Sequence, residues 1–161
     1  MLVVTATYQG DIHEAIRLYR WILKLSGELK AHDCLLVADP STPFDRMIEL
    51  REIAGQIFRE VRLGVMPMTV TGWPDGPNAM FRFAATYISQ DWPQPFLWME
   101  PDCVPMRATW LHEIDYIYSK MPGMFMGDIY GDESDPSKFF MSGVAVYPAD
   151  AASTLKLPCL A

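Results

Sequence analysis

The sequence is poor in cysteine, in basic residues and in long apolar runs. Cys34, Cys103 and Cys159 are an odd, widely spaced set with no CxxC pair, which argues against a disulfide framework and against a cysteine zinc cage. A reducing, cytoplasmic setting fits that usage. Only 13 Lys and Arg stand against 20 Asp and Glu, for a formal net charge of -7, and no basic stripe is present to track a phosphate backbone. Extended nucleic-acid binding is therefore disfavoured, although a single nucleotide in a pocket is not. No run approaches the roughly 18 apolar residues of a membrane span. The opening "MLVVTATYQGD" lacks a basic segment and soon turns polar, so it does not read as a signal peptide.

Apolar residues make up 50% of the 161 positions, enough for the core of one domain. The chain reads as a single domain over residues 1–161, either minimal or cut short at its carboxyl end. Strand and helix signals alternate along it. "LVVTA" (residues 2–6), "CLLVA" (34–38) and "PFLWM" (95–99) are short continuous apolar runs, the pattern of strands buried on both faces. "EVRLGVM" (60–66), "MFMGDIY" (124–130) and "GVAVYP" (143–148) are further strand candidates. Between them, Ile12, Ala15, Ile16, Tyr19 and Ile22 recur at helical spacing, as do Met47, Leu50, Ala54 and Ile57, then Phe81, Ala84, Ala85 and Ile88, and finally Trp110, Leu111, Ile114, Ile117 and Tyr118. Asp11 with Glu14 suggests a capping box, Thr42 with Pro43 a helix start, and Asn78 a cap. This alternation predicts an α/β fold with a mostly parallel central sheet and helices on both faces.

In such sheets, ligands gather at the carboxyl ends of the strands. That rule predicts one polar edge built from residues 5–8, from Asp39 with Ser41, and from Glu100 with Asp102. The acidic pair ends the most hydrophobic strand, in "FLWMEPDCVP". Side chains at i and i+2 of an extended segment point to one side, so Glu100 and Asp102 converge if Pro101 keeps the backbone extended. Two unpartnered carboxylates repel, and a hard divalent cation removes the conflict. The alternative is a pair of solvent-facing loop acids.

"FLWMEPDCVPMRATWL" resembles the metal-binding segment of GT-A fold glycosyltransferases, in which a strand ends in a D-x-D-type motif. "VVTATYQGD" is similar to the first strand and nucleotide loop of that Rossmann-like fold, "LLVADPST" to its second strand, and "FFMSGVAVYPAD" to the later segment bearing Ser-Gly near the acceptor site. The similarity covers roughly residues 2–150. It implies that Thr5, Thr7 and Tyr8 line a nucleotide pocket, with Tyr8 stacking on the base, and that Asp39 accepts hydrogen bonds from base or ribose. It also implies that Asn78 and Arg82 contact the donor sugar or diphosphate. Asp102 is then the primary ligand to Mn2+ or Mg2+, and Glu100 binds the ribose or the metal.

Each residue also has a plainer reading: ordinary strand threonines, a half-buried aromatic, turn chemistry at Asp39, a helix cap at Asn78 and a solvated Arg82. The motif departs from the family in its Glu at the first position and its central proline. The histidine that many members add towards the carboxyl end has no counterpart, since His13, His32 and His112 fall elsewhere. Asp128, at the end of a predicted strand, is the candidate catalytic base. Asp132, Glu133 and Asp135 follow in what reads as a flexible acidic loop.

The resemblance implies a metal-dependent glycosyltransferase that moves a sugar from a nucleoside diphosphate sugar, a UDP-sugar first, to an acceptor hydroxyl. A nucleotidyltransferase on a related sheet and a non-catalytic nucleotide-sugar binding protein are the alternatives. The first is disfavoured because "TATYQGD" carries a single glycine and no basic residue.

Overall fold

The computed structural model describes residues 1–72, 74–132 and 135–157, with residues 131–132 and 135–142 described through their backbone alone. The elements run β1 (Leu2–Thr7), α1 (Ile12–Ser26), β2 (Asp33–Ala38), α2 (Phe44–Ile57), β3 (Val61–Val65), α3 (Asp75–Asp91), β4 (Phe96–Trp98), α4 (Trp110–Tyr118), β5 (Met126–Asp132), β6 (Asp135–Tyr147) and α5 (Ala151–Thr154). The six strands form one sheet in the order β3-β2-β1-β4-β6-β5. The first four are parallel, and β6 and β5 are antiparallel additions at one side. The expected α/β class with a mostly parallel sheet is what the chain adopts.

Every residue of β1, β2 and β4 is buried, because helices cover both faces of the sheet. Strand alternation divides the core accordingly. Val3, Cys34, Leu36 and Leu97 face the layer of α1, α2 and α4. Val4, Leu35, Val37, Phe96 and Trp98 face α3 and α5. Leu36 is fully buried, so truncating it to alanine is expected to cost about 2–5 kcal/mol. An aromatic cluster fastens β6 to β4: Phe96 and Tyr147 stack at 5.2 Å between ring centroids, and Phe81 packs 4.7 Å from Tyr147.

Helix ends differ from the sequence expectations in ways that matter at the site. The Asp11 side chain does not cap α1, which instead closes at Gly27, whose φ of +66° is a conformation glycine adopts freely. α2 begins at Phe44 without a side-chain cap, and the Thr42 hydroxyl donates to the Thr7 carbonyl at 3.0 Å. Asn78 lies inside α3, which starts at Asp75, rather than capping it. Asp132 and Asp135, expected in a flexible acidic loop, belong to strands β5 and β6. β6 starts at Asp135, eight residues earlier than its apolar run suggested, and Asp132 and Asp135 are paired in register. Glu133 and Cys159 lie outside the described residues. Among the described residues, no helix is long and apolar enough to cross a membrane.

Candidate functional site

The strand order reverses between β1 and β4. From β1 the chain winds outward through α1 to β2 and β3, and then returns through α3 to the other side of β1. A crevice opens at the carboxyl ends of strands where connections diverge in this way. Two adjoining cavities occupy that position, of about 490 and 330 Å³. Asp11, Pro77 and Met80 line both. Tyr8, Gln9, Asp39, Ser41, Thr69 and Thr71 complete the polar lining of the larger one. The smaller one is walled by Ala6, Glu14, Trp98, Glu100 and Asp102, among others.

In the larger cavity the turn after β2 fixes Asp39. The Asp39 Oδ1 accepts the Ser41 N–H at 2.8 Å and the Thr69 hydroxyl at 3.3 Å, an Asx turn that holds a buried carboxylate in place. Tyr8, just past β1, is about half exposed. Its ring folds back over Gly10, where an added Cβ would overlap it. The Tyr8 N–H donates to the Asp11 Oδ1 at 2.8 Å. Burial pushes the Asp11 carboxyl up to about 6, and the charges of Glu14 and Asp102 add to the rise while the Tyr8 N–H works against it.

In the smaller cavity the acidic pair converges by a route the sequence did not reveal. Pro101 does not hold an extended segment. The Cys103 N–H donates to the Glu100 carbonyl at 3.1 Å, so residues 100–103 form a β-turn with proline at its second position. That turn gathers a third group: ligand atoms of Glu100, Asp102 and Cys103 all lie within 4.8 Å of one another. The Cys103 thiol donates to the Asp102 Oδ1 at 3.8 Å, and burial together with the Asp102 and Glu100 charges pushes it up to about 11. Burial, then the charge of Asp102, raises Glu100 above the usual carboxylate range.

β6 carries an irregularity beside this turn. Gly127 pairs with Ala145 and Ile129 with Met141, so β6 takes extra residues around 142–144 opposite Asp128, a bulge of the kind that re-aims chain next to sites. Gly143 lies in it, against the Glu100 carboxyl group, and a Cβ there would overlap that carboxyl. Among the described residues, no ion pair includes Asp11, Asp39, Glu100 or Asp102. Two convergent, unpaired carboxylates are the hard oxygen donors that Mn2+ or Mg2+ takes, and the donor set therefore fits such an ion.

Of the residues expected from the sequence, Tyr8, Asp39, Glu100 and Asp102 line the paired cavities. Thr5 and Thr7 are fully buried on the α1 side of β1. Thr5 accepts the Tyr19 hydroxyl at 3.0 Å, and Thr7 approaches the Met47 sulfur at 3.3 Å. Asn78 is exposed and Arg82 half-buried on α3, and neither lines the two cavities. Asp128 is exposed on β5, two strands from β4 and level with its end. Of the other histidines, buried His32 lies 3.1 Å from His112 at the opposite end of the sheet. Sequence reasoning missed Asp11, Gly10, Thr69, Thr71 and Cys103. The available signals were the place of Gly10 and Asp11 in "VVTATYQGD" and the position of Cys103 beside Asp102.

No family model and no curated protein matches the chain. Solved structures do. The fold resembles that of the bifunctional glycosyltransferase WbbM in its apo form, at a TM-score of 0.58 and 11% identity over 97% of this chain and 32% of that one. It also resembles the mannosyltransferase PcManGT from Pyrobaculum calidifontis, in complex with GDP-Man and Mn2+, at a TM-score of 0.58 and 13% identity over 96% of this chain and 46% of that one. The chain thus has a glycosyltransferase-like fold and spans less than half the length of either neighbour.

Proposed function

We propose that this chain is the donor-binding domain of a metal-dependent glycosyltransferase of the GT-A kind. One observation carries the reading: two joined cavities at the topological switch point, one presenting an aromatic ring and a fixed carboxylate, the other two convergent acids that form no ion pair among the described residues. The base of a nucleoside diphosphate sugar occupies the first, with Tyr8 against its face. The Asp39 carboxylate accepts, so it suits a base presenting a ring N–H, uracil or guanine, better than cytosine. The diphosphate occupies the second. Asp102 and Glu100 hold Mn2+ or Mg2+ there, and the ion, when bound, supplies positive charge to the departing diphosphate. The complex of PcManGT with GDP-Man and Mn2+ supports this class of ligand.

In the transfer step the acceptor hydroxyl oxygen forms a bond to the anomeric carbon of the sugar. The bond from that carbon to the diphosphate oxygen breaks, and the nucleoside diphosphate leaves with the electron pair. Asp128 is the proposed base that takes the hydroxyl proton. Thermal stabilisation by UDP, GDP and CDP with and without Mn2+, followed by release of free sugar from UDP- and GDP-sugars, tests the reading. Metal-dependent stabilisation with turnover, lost in Asp102→Asn, is expected. Stabilisation indifferent to metal contradicts the role of the acidic pair, and metal-dependent binding without turnover reduces the chain to a binding module.

A further inference from the structure

We propose that Asp11 is a specificity-determining residue that reads the ribose hydroxyls of the bound nucleotide. The inference rests on the donor-site reading above and deepens it. Asp11 lies where the two cavities join, facing both, and Pro77 and Met80 are the other residues common to them. At that junction Asp11 is therefore the polar wall and the α3 residues the apolar one. With the base in the cavity of Tyr8 and Asp39 and the diphosphate in that of Glu100 and Asp102, the part of the ligand that spans the junction is the ribose.

The chemistry of the junction selects the contact. Asp11 is not among the three groups, Glu100, Asp102 and Cys103, whose ligand atoms converge within 4.8 Å of one another. A carboxylate set against phosphate oxygens would repel them, whereas the 2′- and 3′-hydroxyls of ribose donate hydrogen bonds, and hydrogen bonds to a charged acceptor are the stronger kind. Pro77 and Met80 offer an apolar surface to the face of the sugar ring. The loop holds Asp11 for the task. Its Oδ1 is fixed by the Tyr8 N–H at 2.8 Å, and its backbone N–H closes the turn onto the Tyr8 carbonyl at 3.2 Å. Glu14, which also lines the smaller cavity, is matched by Arg17 at 2.6 Å, whereas among the described residues no cation pairs with Asp11.

The test is a cycle that combines a protein substitution with removal of a ligand hydroxyl. Dissociation constants are measured by titration calorimetry at saturating Mn2+ for the better bound of UDP and GDP and for its 2′-deoxy and 3′-deoxy forms, with wild type, Asp11→Asn and Asp11→Ala. Wild type is expected to bind at least one deoxy form about 10- to 100-fold more weakly. Asp11→Asn, which keeps an acceptor for the Tyr8 N–H, is expected to shrink that ratio several-fold, and Asp11→Ala to bring it close to one. A residue that only shapes the loop would weaken ribose and deoxyribose nucleotides equally, so an unchanged ratio in both variants overturns the proposal. Equal binding of all three nucleotides by wild type overturns it as well. If wild type binds no nucleoside diphosphate at all, the donor-site reading itself fails and the proposal falls with it.

Discussion

The two ends of the parallel strands both collect acids, and they treat them in opposite ways. At the amino end, Asp33 is almost fully buried, yet it receives two hydrogen bonds from Arg59, at 2.9 and 2.6 Å, and one from Gln94 at 3.3 Å. Burial pushes its carboxyl up, but those donors outweigh the effect and hold it below the usual range. At the carboxyl end, Asp11 and Glu100 are raised, and no cation pairs with them among the described residues. A fold that needed acids only for stability would partner them at both ends. Acids that no cation neutralises among the described residues fit the proposed role of this edge in binding a ligand.

The sharpest break of this contrast exchanges its two halves. Asp102→Asn is expected to weaken Mn2+-dependent nucleotide binding on the order of 100-fold, measured by calorimetry, with the melting temperature almost unchanged because an exposed charge is lost. Arg59→Ala is expected to do the reverse. It leaves a buried carboxylate without its partner, so the melting temperature drops by several degrees while nucleotide affinity stays as it was. If Arg59→Ala weakened nucleotide binding as much as Asp102→Asn, the division between the two ends would not hold.

Smaller effects sharpen it. Gly143→Ala sets a methyl group where the Glu100 carboxyl lies and is expected to reduce Mn2+-dependent nucleotide affinity about tenfold by moving the proposed ligand. A pH series separates the ends by stability. The folded-state value of Asp11, about 6 against 3.8, means that the folded protein binds that proton more tightly than the unfolded chain does. Its stabilising contribution is complete below about pH 3.8 and is lost as pH rises through 6. Asp11→Asn is therefore expected to be more stable than wild type at pH 7–8, by on the order of 1 kcal/mol once solvent screening is allowed for, with the gain gone by about pH 4. His32, at the other end, has the opposite sign. Burial lowers it from 6.5 to about 4, with the amino-terminal charge adding to the fall, so stability is lost as pH drops from 6.5 towards 4, and urea unfolding of His32→Gln is expected to show a shallower acid slope.

What the sequence disclosed followed from burial. "LVVTA", "CLLVA" and "PFLWM" are legible because strands covered on both faces must be apolar at successive positions, and the rule for parallel sheets then located the edge at which Tyr8, Asp39, Glu100 and Asp102 meet. Turn chemistry stayed hidden. An aspartate before a helix reads as a cap, yet Asp11 turns its carboxylate to the Tyr8 N–H and the cleft, and no local pattern separates those outcomes. Pro101 fits an extended segment and the second position of a turn equally well, so the grouping of Cys103 with the acids emerged only in three dimensions. The early start of β6 was illegible because its first residues, from Asp135, lack the apolar run that identified the other strands.

The most direct test of the claim that the carboxyl-end acids await a cation is a Mn2+ titration followed by electron paramagnetic resonance, with and without GDP or UDP. One bound Mn2+ per chain, tightened by the nucleotide and absent from Asp102→Asn, is the result predicted. Nucleotide binding that is undiminished in EDTA, or Mn2+ binding that survives Asp102→Asn unchanged, would contradict it.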